Sequence, residues 1–469
     1  MIKSKKQKSP SINTQKPSVT KQTKQNKFYY LNMIFEFTKM FFDMSTIHGF
    51  PHISQDGRHP LERVLWILLV TVAACGAGIL SSLTLTRYRE NPTVISMERD
   101  RFSWNTSFPP ATICSSKKYD PDKLEKFVNE NEDIKNKTLY KDFIITLLEA
   151  SYLNLDSVID YEGIDSEDFV KLIYKFSFPL KMDITNSAGN NKFLSVQETY
   201  TEMGRCYSYN SQLAIYNSYE YRNNGSWKLL PETEIFYINP LEGEVFVNMI
   251  NVSSGYKVYF HGPYEVIDMA TKNIEVPSGN FLQFYLSALT IFSSERTRSL
   301  SVKQRQCRFY YESNLAHFPF YSYAACRMEC RIKLAKEFCG CLPHFYRKLE
   351  GEEVCDVKGL HCLSKYREDL VFLKNQCSCV ANCDETVYVI EFSDQRDWFL
   401  GSTLQWGMVE YPKMRLKRDV IFGFSDLLVY IGGMAGLFLG CSVLSFIEIA
   451  YFFTLRLFWF VKNFDKRTK

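Results

Sequence analysis

Residues 436–448 read GLFLGCSVLSFIE. Three small residues, Gly440, Cys441 and Ser442, interrupt an apolar run, and a carboxylate, Glu448, follows six residues after the serine. A charged carboxyl group inside a membrane helix costs roughly 2.5–3.5 kcal/mol on insertion scales and faces water or a partner. Glycine makes unwinding inexpensive. Backbone that leaves the helix is tolerated in lipid only where it lines water or is buried in protein. The stretch therefore reads as a constriction in an aqueous path. Carbonyls freed at 440–442 would replace part of a cation's hydration shell, and Glu448, ~9 Å further along a helix, would favour positive charge. The plainer readings are close helix packing through small residues and a glutamate that reaches up to the membrane interface.

Working outward, this stretch lies in one of two long apolar runs. Val64–Thr86 holds 23 residues without a charge, flanked by Arg63 and Arg87, and Leu427–Ile447 holds 21 more. Apolar residues continue past Glu448 to Leu455, where Arg456 stops them. Eighteen or more uncharged apolar residues suffice to cross a hydrocarbon layer ~30 Å thick. The net charge of +4 divides unevenly: residues 1–63 carry eleven Lys/Arg against four Asp/Glu, residues 449–469 five against one, which leaves 64–448 at −7. Basic flanks stay in the cytoplasm, so both ends are expected inside and the region between the spans outside. The first 27 residues are basic and polar with no apolar core, which excludes a secretory signal peptide and predicts a disordered tail. The expected divisions are a cytoplasmic segment 1–63, a first span 64–86, an exterior region 87–425, a second span 426–455 and a cytoplasmic tail 456–469.

The cysteines agree with this topology. Cys75 and Cys441 fall in the spans, and the other twelve all fall outside, an even and crowded set of the kind an oxidising compartment produces. Four N-x-S/T sequons, at Asn105, Asn136, Asn224 and Asn251, also lie in the proposed exterior. The Cys-x-Cys pairs are too tightly spaced for a zinc site and no histidine completes one, so no metal is expected. No G-x-S-x-G, H-E-x-x-H or phosphate-binding glycine loop occurs. Isolated histidines such as His261 and His317 read as packing or surface residues, and neither an enzyme nor a cofactor is expected.

Cys326 and Cys330 sit in a stretch with helical spacing, four residues apart on one face, ~6 Å along the axis. Cys377 and Cys379 sit in NQCSCV, read as a strand that puts both on one face ~6.7 Å apart. The matched pitch allows two bridges between them and leaves their direction open. KLEKFVNENEDI and LYKDFIITLLEASYL have helical periodicity. SGYKVYFHGPYEVID and ETVYVIEF read as strands. The exterior is thus α+β and disulfide-rich, without internal repeats.

Several stretches together resemble the degenerin/epithelial sodium channel (amiloride-sensitive sodium channel) superfamily, most of all its insect pickpocket branch. They are TIHGF before the first span, FPPATICS around Cys114, YSYAACRMECRIKLAKEFCGCLPHFY, CSCVANC, and GGMAGLFLGCSVLSFIEI in the second span. The resemblance runs from about residue 45 to 456. It implies two spans and a hand-like exterior with a palm sheet and finger and thumb helices. It implies bridges Cys114–Cys206, Cys307–Cys383, Cys326–Cys379, Cys330–Cys377, Cys339–Cys362 and Cys341–Cys355, which use all twelve exterior cysteines. It implies a sodium-preferring, amiloride-sensitive channel subunit in a homo- or heterotrimer at the plasma membrane, opened by an extracellular or mechanical stimulus. Gly440–Ser442 would be the filter, Glu448 and Asp426 pore acids, and His48, Gly49 and Tyr88 gating residues. Sodium ions and the bilayer are the expected partners, and nucleic acid is not.

The chain departs from that pattern in places. Tyr430 stands where acid-sensing members carry an acid, with Asp426 one helical turn earlier. Gln304 replaces a tryptophan expected to meet Tyr88. After Cys362 the sequence LSKYRED puts Lys365 and Arg367 where a proton-sensing aspartate pair would lie. A finger cysteine pair of some members has no match. Rival readings are a two-pass non-conducting receptor, an ATP-gated channel of the same topology, and an auxiliary subunit that conducts only in a heteromer.

Overall fold

The computed structural model describes residues 19–100, 102–187, 195–223, 228–231, 233–373 and 377–467, with backbone alone at 19–30 and 464–467. Two compact units emerge: the chain ends (to Pro92 and from Phe422) and the middle, Thr93–Ile421.

In the first unit, one helix runs from Pro60 to Glu90. It starts where its chemistry says it should: Pro60 needs no amide partner in the first turn, and the His59 side chain accepts from Leu61 N. Its apolar side chains, among them Val64, Leu68, Val72 and Leu83, are largely exposed, as a lipid-facing surface requires. The second apolar segment is in pieces: helix Phe424–Leu439, a break, helix Val443–Tyr451, a π-helical turn Phe452–Arg456, and helix Leu457–Arg467. Two helices, Pro60–Glu90 and Val443–Asn463, are long and apolar enough to cross a membrane. The first helix packs on Phe424–Leu439 where Gly76 leaves room for the Phe438 ring; a Cβ there would lie 3.0 Å from it.

One expectation is corrected here. The disordered tail was expected to reach residue 27, and residues 1–18 lie outside the described ones, but Val19–Met44 is one helix. Its aromatic C-terminal half packs Phe37 and Phe41 on Phe452, Phe453 and Phe460. Once that half is helical, adding residues at its N-terminus costs no new nucleation. Helix also continues past Leu455 to Arg467, because Leu457–Val461 is apolar and Arg456 does not break helical backbone.

The second unit is built on two sheets. The larger joins strands in the order Thr93–Glu98, Arg415–Val420, Asn280–Ser293, Ser402–Met408, Val245–Val252 and Asp183–Asn186, with Glu385–Asp397 also paired to Asn280–Ser293. The smaller orders Ile274–Val276, Tyr256–Phe260, Ala111–Ser115, Gly204–Tyr209 and Val196–Thr201. Their shared core holds Phe108, Tyr209, Phe284 and Trp406, with the Trp406 indole donating to Pro109 O at 2.9 Å. A second core gathers the helices Lys137–Glu149, Tyr323–Cys339 and Val357–Lys365.

Six disulfides lie in this unit, and they join the six pairs that the family resemblance implies. Cys114 and Cys206 face each other across two antiparallel strands. Cys326–Cys379 and Cys330–Cys377 rise from one helix face, with Cα separations of 5.8 and 6.1 Å. Cys377–Val380 is not the strand expected: no ladder partner lies along it, and its path is held by the two bridges. The strand expected over 254–268 ends at Phe260, where Gly262 and Pro263 turn the chain and Pro263 has no amide to donate.

His317 joins three parts of this helical core. Its Nδ1 lies 3.0 Å from Glu329 and its Nε2 2.9 Å from Glu352, which also takes Lys336 at 2.6 Å. Burial disfavours the imidazolium, but the two carboxylates outweigh it and raise the pKa. Burial likewise opposes the charged carboxylates, and the cations hold Glu329 low and Glu352 at about 2. The histidine's contribution is complete below its unfolded value and lost as pH rises through its raised one; the carboxylates' is present above their unfolded values and lost as pH falls through their lowered ones. Thermal unfolding of the detergent-solubilised chain should therefore shift down between pH 6 and pH 9, and His317→Gln should remove that shift. An unchanged slope in the variant would exclude His317 as its source.

Candidate functional site

The break in the second apolar segment begins at Gly440. Its φ of 63° is left-handed, a conformation costing other residues roughly 1–2 kcal/mol. Gly440 N donates to Gly436 O at 2.9 Å and Cys441 N reaches back to Ala435 O at 3.2 Å, closing the helix Phe424–Leu439. Ser442 opens the helix Val443–Tyr451 as its N-cap, accepting from Ser445 N at 3.3 Å while Ser445 Oγ accepts from Ser442 N at 3.1 Å. The unwinding is thus an αL stop followed by a serine start, two local devices written side by side.

What fills the break comes from the other end of the chain. His48 N donates to Leu439 O at 3.0 Å. The His48 imidazole occupies the space a side chain at 440 would need: an added Cβ would overlap its Nδ1, Cε1 and Cγ. Two residues earlier, Thr46 Oγ1 lies 2.7 Å from Glu448 Oε2 and 3.0 Å from Ser445 Oγ, and Thr46 N approaches the same carboxylate at 3.4 Å. The segment Ser45–Gly49 is therefore seated between the break and the carboxylate, with Ser45, Ile47 and Gly49 buried.

Gly49 makes the seat possible. Its φ is 92°, and a Cβ there would meet Val70 at 2.5 Å. It caps the short helix Phe50–Ser54, whose His52 ring lies 4.4 Å from Trp66 of the first long helix. Arg63 donates to Gln55 O at 3.1 Å, and Lys39 pairs with Asp56 at 2.8 Å. The turn is thus held from both sides.

At the other end of the two long helices, Asp426 Oδ2 accepts from Gly423 N at 2.9 Å and so closes the first turn of its helix. Tyr88 stands 6.4 Å from Phe422, which stands 5.3 Å from Tyr430 and beneath Arg87. Tyr88 therefore has an aromatic neighbour from the turn just before the second apolar segment, one the sequence reading did not name. Of the sequons, Asn105, Asn136 and Asn251 are exposed; Asn136 caps a helix and the Asn251 amide already donates to Asp183 at 2.9 Å. Asn224 lies outside the described residues. No group of three or more His, Cys, Asp or Glu able to hold a metal occurs among the described residues.

His48, Gly49, Gly440, Cys441, Ser442 and Glu448 thus form one site, and Tyr88 and Asp426 stand apart from it. Thr46 and Ser445 were missed. An exposed-looking TIHGF carries no signal for a partner 402 residues away.

A family model described as amiloride-sensitive sodium channel matches residues 41–452. This chain belongs to that family. Its members are ion channels, not enzymes. Among relatives, the sodium channel protein Nach of Drosophila melanogaster is 22% identical, over 88% of this chain and 85% of its own length. Pickpocket protein 11 of the same fly is 22% identical over 89% and 76%. The bile acid-sensitive ion channel of Mus musculus is 26% identical over 89% and 88%. Among solved structures, a proton-activated chloride channel aligns over 85% of this chain and 96% of its own at 8% identity, with a TM-score of 0.22 that carries no inference.

Because His48 fills the space beside Gly440, Gly440→Ala should abolish current without loss of surface protein. Adding His48→Ala should restore part of it, the remainder being the αL strain. Wild-type current in Gly440→Ala, measured by whole-cell recording with surface biotinylation, would show that the break tolerates a side chain and is not packed as described.

Proposed function

We propose that the chain is a subunit of a sodium-preferring, amiloride-sensitive cation channel at the plasma membrane, with both termini cytoplasmic. The observation that carries this is a helix broken at Gly440–Ser442 beside an acidic side chain, within an apolar segment of an ion-channel family member. Backbone carbonyls at 440–442 act as the filter. In a symmetric trimer, Glu448 forms a ring of negative charge on its inner side, and Asp426 forms an outer ring while capping its own helix.

Assembly is supported by an exposed apolar strand face in the second unit, where Val387, Val389 and, across a register shift, Phe392 are 45%, 53% and 48% exposed. An apolar face of that length on a β-strand marks a surface for another copy or a related subunit. The acidic exterior, at −5 over residues 87–425, concentrates cations only modestly, since salt screens it within ~8 Å; selectivity resides in the filter.

In this reading, Ser45–Gly49 is the gate's cytoplasmic support. Withdrawing His48 frees Leu439 O and the space beside Gly440, and the break can then change width. Tyr88, against Phe422, links the outer ends of the two spans. The exterior, arranged as palm, finger and thumb, receives the stimulus. Lys365 and Arg367 argue against a proton-sensing aspartate pair after Cys362, and point to a ligand or mechanical stimulus.

The test is whole-cell current in oocytes expressing the chain, with sodium and then potassium outside, with and without amiloride. To open a channel whose stimulus is unknown, Ser425→Trp places bulk beside Asp426. An amiloride-blocked current reversing near the sodium potential is expected, and Asp426→Asn should lower its conductance. A Ser425→Trp chain that reaches the surface alone or with pickpocket-type subunits and stays silent would favour the non-conducting receptor.

A further inference from the structure

Over residues 31–35 the helix Val19–Met44 has a face left uncovered among the described residues. Phe37 and Phe41 pack inward on the end of the second apolar segment. Leu31, Ile34 and Phe35, spaced as one helical face, are 56%, 58% and 72% exposed. Positions 21, 24 and 27 continue that face towards the N-terminus at intervals of three and four, and all three are lysine. The first 35 residues hold eight lysines and no aspartate or glutamate.

The same unit fixes where this face lies. The helix is tied through Ser45–Ser54 to the start of the first long helix, and the Arg456 guanidinium lies 3.8 Å from Met40 Sδ. Two membrane crossings bring both chain ends out on one side. At that end Phe458 and Trp459 are 63% and 54% exposed, and the Lys462 ammonium stands 5.2 Å over the Trp459 ring. An aromatic with a lysine above it is the usual furnishing of a headgroup layer. A face with lysines at one end and large apolar side chains at the other, beside such an anchor, fits a bilayer surface bearing negative headgroups. A water-facing helix would have no use for the apolar half. A purely apolar protein groove would leave the lysines unmatched.

We propose that helix 19–44 is an interfacial helix. It lays Leu31, Ile34 and Phe35 into anionic lipid on the side holding both termini, and so ties the Ser45–Gly49 seat to the membrane surface. This rests on the two helices crossing the membrane, but not on the chain conducting. Its consequence is regulatory: removing anionic lipid frees the helix whose C-terminus leads directly into the seat beneath the filter.

The test uses the full chain with Cys75 and Cys441 replaced by alanine and Phe35→Cys labelled with bimane. The protein is reconstituted in phosphatidylcholine vesicles with or without phosphatidylserine. Lipids brominated near the headgroup should quench the label, and more strongly with phosphatidylserine present. Lys21→Gln, Lys24→Gln and Lys27→Gln together should cut the phosphatidylserine-dependent part at least about fivefold, the weight of one lysine at an anionic surface. The corresponding arginine variant should retain it, which separates charge from folding. Quenching by aqueous iodide alone would place the face in water. Protection from both quenchers would mean that protein, such as a second copy, covers it. Equal quenching in both lipids would remove anionic recognition. Each of these results would overturn the proposal; none depends on measuring a current.

Discussion

A helix in hydrocarbon cannot stop without finding new partners for the amides and carbonyls it releases. The structure meets that constraint at Gly440. The helix Phe424–Leu439 closes on itself through Cys441 N and Ala435 O, Leu439 O accepts from His48, and the imidazole takes up the space where a side chain would have been. Most of the membrane unit follows from this. His48 reaches the break because Gly49 turns the chain left-handed, and the turn holds because Phe50–Ser54 is pinned to Trp66 and the first long helix. Thr46, two residues before, then meets Glu448. An unstable feature of one segment is stabilised by a segment from the opposite end of the chain.

The second unit solves a different problem. Its larger sheet pairs the strand that follows the first long helix, Thr93–Glu98, with the strand that precedes the second apolar segment, Arg415–Val420, in antiparallel register. The strand leading out of one span and the strand leading into the other are therefore neighbours in one ladder. Where the ladder gives out, the disulfides take over. The run Cys377–Val380 has no strand partner and is held by two bridges to a helix, and His317 fastens that same helix to Glu352 by charge. Buried charge is matched at the centre of this helical core: Arg331 meets both Glu202 and Asp268 at no more than 3.2 Å, which avoids the cost of an unpaired ion.

Much of this was legible in the sequence, for reasons that differ by element. The first long helix was clear because 23 uncharged residues leave few alternatives. The break at 440–442 was legible because glycine and serine are the ordinary residues for stopping and starting a helix. The cysteine spacing suggested two rungs from one helix, but their direction came from the family resemblance, since spacing is symmetric under exchange. The helix Val19–Met44 was missed at its N-terminal end. The lysine-rich composition of residues 1–27 suggested solvation, whereas the aromatic residues that nucleate the helix lie beyond it. The contact between Thr46 and Glu448 could not be read at all, because a hydroxyl in a short polar segment carries no mark of a partner 402 residues away. Tyr88 pointed to a tryptophan that this chain lacks, and its neighbour Phe422 is supplied by the turn that leads into the second apolar segment.

The central claim is that Ser45–Gly49 and the broken helix act as one unit through Thr46 and Glu448. A double-mutant cycle on Thr46→Val and Glu448→Gln tests it most directly, with single-channel sodium conductance as the readout. If the hydroxyl holds the carboxylate, either change alone should lower conductance, and the pair together should do little more than one, the non-additivity expected of groups in contact. Effects that simply add would mean that Thr46 and Glu448 act independently, and the seat described here would not be the support of the break.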